Sequence, residues 1–113
     1  MDNAGLIVGI TNVAVGILIY ALCVPLAMGR VKRNNWYGIR IPKSMESDEN
    51  WYRINKYAAH AMYPWAVATI LVGLVTLFLD IEANKPVAIF VSVFPVSVVI
   101  PVIRTYLWSH DLP

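Results

Sequence analysis

The sequence predicts an all-α membrane protein: three transmembrane helices, with a cytoplasmic interfacial loop and a short amphipathic helix between the first and second. Three observations carry this. Hydrophobic residues make up 58% of the chain against 14% charged; the charges leave three long uncharged runs; and the basic residues crowd into one connection. A soluble domain of 113 residues needs more charge to cover its surface, so the surplus apolar side chains must face lipid. No internal repeat is visible, and the length suits a single membrane domain, residues 1–113.

The first span covers about 5–29. Gly5 to Gly29 holds no charge, and 25 helical residues reach about 37 Å, enough to cross a ~30 Å hydrocarbon core with tilt. A cleaved signal peptide is the rival reading of this segment. It would need a basic leading region and a short apolar core, whereas the chain opens Met1-Asp2-Asn3 and stays apolar throughout, so the span is expected to be retained. The second span covers about 58–79, roughly 33 Å of helix. The third covers about 87–108, its uncharged part ending at Ile103 and Arg104 snorkelling to the interface.

Charge placement sets the expected orientation. Residues 30–57 carry Arg30, Lys32, Arg33, Arg40, Lys43, Arg53 and Lys56 against Glu46, Asp48 and Glu49, a net charge of +4. The other connection, 80–86, holds Asp80, Glu82 and Lys85. The positive-inside bias places loop 30–57 and the C-terminus in the cytoplasm, with the N-terminus and loop 80–86 outside, in a multi-pass membrane protein. Anionic lipid headgroups are then partners of the loop. A whole-chain charge of +2 gives no reason to expect direct nucleic-acid binding.

Several polar or special residues interrupt the spans. Asn12, His60, Thr69, Thr76, Ser92 and Ser97 are read as interhelical or back-bonding groups, each worth about 0.6 kcal/mol. Asn12 is the costliest to bury and marks a helix contact. Gly5, Gly9 and Gly16 recur at helical spacing and allow close backbone approach. His60 could shuttle a proton or hold a metal, but no carboxylate or second histidine is near it in sequence; an interfacial hydrogen-bonding role is the simpler reading. Cys23 has no second cysteine to pair with and reads as a buried small residue. Pro25, Pro64, Pro95 and Pro101 each remove a helical donor. Pro95 and Pro101, with Ser92 and Ser97 ahead of them, predict a bent or locally unwound third span.

The loop is the most informative segment. Asn34 to Ser44 reads as a turn followed by extended backbone, with Tyr37, Ile39 and Ile41 alternating with Trp36, Gly38 and Arg40. Pro42 holds Ile41 extended. Backbone of this kind must sit at headgroup level or pack on the helices. On this reading Tyr37, Ile39 and Ile41 point towards the membrane. Arg40 points towards Asp48, Glu49, a partner's acid or a lipid phosphate. A helix is expected to start after Ser47, an N-cap followed by Asp48 and Glu49, and to run into the second span, bending near Pro64. Trp51, Asn55, Ala58 and Met62 form a stripe on it, and Trp51, Tyr52 and Tyr57 are expected in the interfacial aromatic belt.

The grouping NNWYGIRIPKSMESDENWYRIN, residues 34–55, resembles the SdpI family of bacterial membrane proteins. The family pattern runs from Asn through aromatic residues to Gly-Ile-Arg, Pro and a Ser or Thr, then Trp, and Asn four residues beyond. It falls here on Asn34, Trp36, Gly38, Arg40, Pro42, Ser44, Trp51 and Asn55, which the resemblance marks as a partner-binding or structural motif. The arrangement of one span before the motif and a close pair after it agrees. Two departures are Ile41, where family members often carry Thr, and the further N-terminal spans of the family's namesake. That namesake protects a sporulating bacterium from its own membrane-active killing peptide and holds a transcriptional repressor at the membrane. The resemblance therefore implies a peptide toxin and a cytoplasmic repressor as partners.

Two functions follow as expectations: immunity to a membrane-active peptide, with or without sequestration of a cytoplasmic regulator through loop 30–57; and, alternatively, a small transporter or channel subunit. The second requires a homo-oligomer, because three helices enclose little. Paired carboxylates, a nucleophile with its base and a metal-ligand cluster are all missing from the sequence, so neither catalysis nor a cofactor or metal is expected.

Overall fold

In the computed structural model, which describes residues 3–113, three long helical segments pack along one axis. They are α1 (Asn3–Ala27), α3 (Asp48–Thr76), and a third segment made of α4 (Lys85–Val93), a 3₁₀ stretch (Phe94–Val98) and α5 (Val99–Ser109). A four-residue helix, α2 (Pro42–Met45), lies in the long connection, and a 3₁₀ turn (Ile81–Ala83) in the short one. All three long segments are long and apolar enough to cross a membrane. The molecule measures 52 × 23 × 20 Å, and its long axis exceeds the ~40–45 Å of a bilayer with headgroups. The three-helix architecture read from the sequence is the one found.

α1 and α3 form an antiparallel pair with close backbones. The buried positions of α1 are Gly5, Gly9, Asn12, Gly16 and Cys23, a stripe with the three-four spacing of a left-handed helix pair. A Cβ on Gly9 would lie 2.9 Å from the Gly73 carbonyl oxygen, and one on Gly73 would lie 2.7 Å from the Gly9 carbonyl oxygen. A Cβ on Gly16 would meet the Ala66 carbonyl oxygen at 2.8 Å. Side chains are therefore excluded where the helices cross, as in other membrane pairs built on small residues. Thr69 and Thr76, buried on the facing side of α3, return their hydroxyls to Trp65 and Val72 of their own helix, at 2.7 and 2.6 Å.

α3 begins where the sequence predicts. Ser47 is extended, and its hydroxyl accepts from the Asn50 N–H at 3.1 Å. The helix continues unbroken through Pro64 to Thr76, so the amphipathic helix of the loop and the second span are one element.

The third span departs from a regular helix at Pro95. That residue brings no N–H to the carbonyl of Val91, four residues earlier. Asn12 of α1 supplies the missing donor: its Nδ2 lies 2.9 Å from the Val91 oxygen, with Asn12 fully buried. The chain tightens into 3₁₀ geometry over Phe94–Val98 and Ser97 donates to the Phe94 carbonyl at 2.6 Å. Farther on, Tyr57 of α3 stacks on Trp108 of α5 with ring centres 4.0 Å apart.

Candidate functional site

The connection between α1 and α3 is folded back on both helices rather than strung between them. Asn34 organises its first turn. Its Oδ1 accepts from the N–H groups of Trp36 and Tyr37, both at 2.8 Å, and its Nδ2 donates to the Lys32 carbonyl at 2.6 Å. This is the Asx chemistry that lets asparagine stand in for backbone. The next turn falls at Gly38, whose φ of +110° suits glycine alone among common residues. Gly38 also lies against α3: a Cβ there would be 2.7 Å from Asn55 Oδ1 and 3.0 Å from the Trp51 ring.

Trp51 and Asn55, one helical turn apart, receive the loop. The Trp51 indole N–H donates to the Val31 carbonyl at 2.8 Å, and the residue is fully buried. It is therefore not part of an interfacial belt, as the sequence suggested, because Gly38 lets the loop close over its ring. Asn55 Oδ1 accepts from the Ile39 N–H at 2.6 Å, and its Nδ2 lies 3.0 Å from the Trp51 carbonyl and 3.4 Å from that of Ile39. A side-chain amide offers a donor and an acceptor side by side, so Asn55 pairs with Ile39 much as a neighbouring strand would.

This pairing explains a difference from expectation. Residues 34–44 form no strand. Ile41 is extended (φ −116°, ψ 163°), but Pro42 opens the helical turn α2, where a fixed φ and a missing N–H are tolerated. The Ser44 hydroxyl sits 2.8 Å from the Ile39 carbonyl and accepts from the Ile41 N–H at 3.0 Å. Tyr37, Ile39 and Ile41 are half-buried while Trp36 and Arg40 are exposed, so the alternation of faces survives without a strand. The Tyr37 hydroxyl donates to the Leu22 carbonyl of α1. Burial pushes that phenol above its ordinary value of 10.0.

Six of the eight motif residues thus build the loop: Asn34, Gly38, Pro42, Ser44, Trp51 and Asn55. The other two point outward. Trp36 is 88% exposed, and Arg40 is exposed with its guanidinium on the Asn35 carbonyl. Arg40 reaches neither Asp48 nor Glu49. Asp48 is taken by Arg33 at 3.4 Å, and Glu49 by Arg53 at 2.5 Å, one turn away on α3. Arg33 also donates to the Met45 carbonyl at 2.8 Å, so it, and not Arg40, clamps the loop to the start of α3. Sequence reasoning left Arg33 among the topology charges and passed over Asn50, which donates to the Lys43 carbonyl at 3.2 Å. Asn50 had a signal: it stands three residues after the Ser47 cap, the position a capping box uses. His60 is exposed, edge-on to Tyr63 at 5.7 Å. Among the described residues, no three His, Cys, Asp or Glu side chains gather into a metal-sized cluster.

Architecture and site together define a polytopic membrane protein whose long polar connection is a folded, helix-braced unit. The chain belongs to the SdpI/YfhL protein family, whose model matches residues 30–106. The match starts three residues beyond α1 and takes in the whole braced loop, α3 and nearly all of the third span. Among curated proteins and among solved structures, nothing matches the chain.

Proposed function

We propose that the protein acts without catalysis, as an SdpI-like immunity or signalling protein that meets its partner through loop 30–57. One observation carries this reading: a backbone fixed by Asn34, Ser44 and Asn55 presents Trp36 and Arg40 outward, with no carboxylate paired to Arg40 among the described residues. A rigid support with an exposed aromatic and a guanidinium suits recognition, because little conformational freedom is lost on binding. The partner on the loop side is a cytoplasmic regulator, and the peptide toxin is met within the bilayer, as the family's namesake suggests. The positive-inside bias puts the N-terminus outside and the loop and C-terminus inside.

The test is Arg40→Lys and Arg40→Ala in a toxin-killing assay and a membrane-recruitment assay for the regulator. Both variants are expected to insert and accumulate normally but to lose protection or recruitment, since lysine cannot copy the two-pronged guanidinium contact. Wild-type behaviour of Arg40→Lys would leave only charge at this position and remove the recognition role. Lys32→Cys in a Cys23-free background should resist an impermeant outside reagent; labelling would reverse the orientation.

A second reading, an oligomeric transporter or channel subunit, has one observation in its favour. The third span is broken at Pro95 beside Asn12, whose Oδ1 is buried without a hydrogen-bond partner. Solute or ion flux in liposomes, abolished by Asn12→Leu, would support it over the first.

A further inference from the structure

On one side of the α1–α3 seam, two recesses lie end to end with opposite chemistry. The first, at the loop end, has about 410 Å³ and is lined by Gly29, Tyr52, Arg53 and Lys56. Lys56 is exposed and has no ion pair among the described residues. Gly29 turns the chain away at φ +69° with nothing within 4 Å of a Cβ placed there. The second, deeper recess has about 310 Å³ and is lined by Ile17, Tyr20, Ala21, Val67 and Ile70, almost wholly with apolar surface. Between them stands the Tyr20–Tyr63 pair, ring centres 4.9 Å apart, with His60 edge-on to Tyr63.

The antiparallel register puts both recesses on one line. Gly16 faces Ala66 and Ile70, Tyr20 faces Tyr63, and Gly29 faces Arg53 and Lys56. From Lys56 to Ile70 the helix rises about 21 Å. That carries the line from headgroup level to about the middle of a ~30 Å hydrocarbon layer.

We infer that this seam is a binding site for one anionic phospholipid of the leaflet facing the basic loop. Its phosphate sits at Lys56, with Arg53 beside it already paired to Glu49 at 2.5 Å and offering only its remaining N–H donors, and one acyl chain passes the tyrosine pair into the recess at Ala21 and Val67. The charge selects the occupant. Lys56, the lining cation without an ion pair among the described residues, repels cationic peptides, and a soluble anion gains nothing from the apolar half. An amphiphile with an anionic head and a hydrocarbon tail satisfies both halves at once. The inference rests on the membrane-spanning fold and is independent of immunity or regulator binding.

The test uses the full chain, purified in neutral detergent and titrated with long-chain phosphatidylglycerol, phosphatidylcholine of the same chain length and glycerol 3-phosphate, with binding read by native mass spectrometry. Phosphatidylglycerol is expected to bind at least fivefold tighter than phosphatidylcholine, and Lys56→Gln to weaken it by about fivefold, the share of one basic residue at an anionic surface. Ala21→Trp, on an exposed face of α1, fills the deeper recess and should also weaken it, while Lys32→Gln, elsewhere on the loop, should not. Circular dichroism of each variant keeps loss of binding separate from loss of fold. Equal binding of the two lipids, binding of glycerol 3-phosphate as tight as that of the lipid, or an Ala21→Trp variant that binds like wild type would each overturn the assignment.

Discussion

Gly38→Ala tests whether the loop is a folded unit or a tether. At φ +110° an alanine carries strain of about 1–3 kcal/mol. Its Cβ would also stand 2.7 Å from Asn55 Oδ1, so Asn55 must shift and release the Ile39 N–H. Leaving that part-buried donor unmet adds up to about 1–3 kcal/mol. The combined loss, about 2–6 kcal/mol, raises the population of undocked loop by roughly thirtyfold or more, at a factor of ten per ~1.4 kcal/mol. Trypsin acting on the purified protein reports this directly, because cleavage after Arg40 and Lys43 tracks the open population when reclosing is fast. Gly29→Ala is the matched comparison. Its φ is also positive, but nothing lies within 4 Å of the new Cβ, so the effect there is confined to the backbone, about 1–2 kcal/mol. Should Gly38→Ala be cut no faster than Gly29→Ala, the packing of Gly38 on Asn55 and Trp51 would not be what holds the loop.

Two further outcomes follow from the spans. Asn12→Leu removes the donor to the Val91 carbonyl and should destabilise by about 0.6–1.7 kcal/mol in unfolding measurements from detergent; in a Pro95→Ala background the backbone N–H returns and the same substitution should lose most of its effect. Equal effects in both backgrounds would refute the pairing. Gly16→Leu forces side-chain atoms into the Ala66 carbonyl and should separate α1 from α3, seen as a lower midpoint in unfolding from detergent; an unchanged midpoint would mean the glycine stripe does not set the approach of the helices.

What the sequence revealed was local. The uncharged runs gave the spans, Ser47 with Asp48 and Glu49 gave the start of α3, and Pro42 gave the extended Ile41, because each signal lies within a few residues of its effect. The pairing of Asn12 with the carbonyl freed by Pro95 joins positions 79 apart, and nothing near either residue announces the other. The choice between Arg33 and Arg40 for Asp48 depended on which way the loop turned at Gly38, and only the folded backbone decides that. The motif itself was visible, but its division into six residues that build and two that face outward was not, since spacing alone does not separate a buried Trp51 from an exposed Trp36.

The seam between α1 and α3 has a consequence for the size of the connection above it. Antiparallel helices in contact along their length need only about two to eight residues to join them, yet α1 ends at Ala27 and α3 begins at Asp48. Most of the chain between these points is surplus to joining the two helices. Fixing each such residue opposes folding by about 1–2 kcal/mol of backbone entropy, and the indole, amide and hydroxyl contacts of Trp51, Asn55, Asn34 and Ser44 offset that loss locally. The hairpin and its cap are therefore separable parts: a version with the connection shortened to a tight turn would keep the helix crossing at Gly9, Gly16 and Gly73 while discarding the surface that carries Trp36 and Arg40.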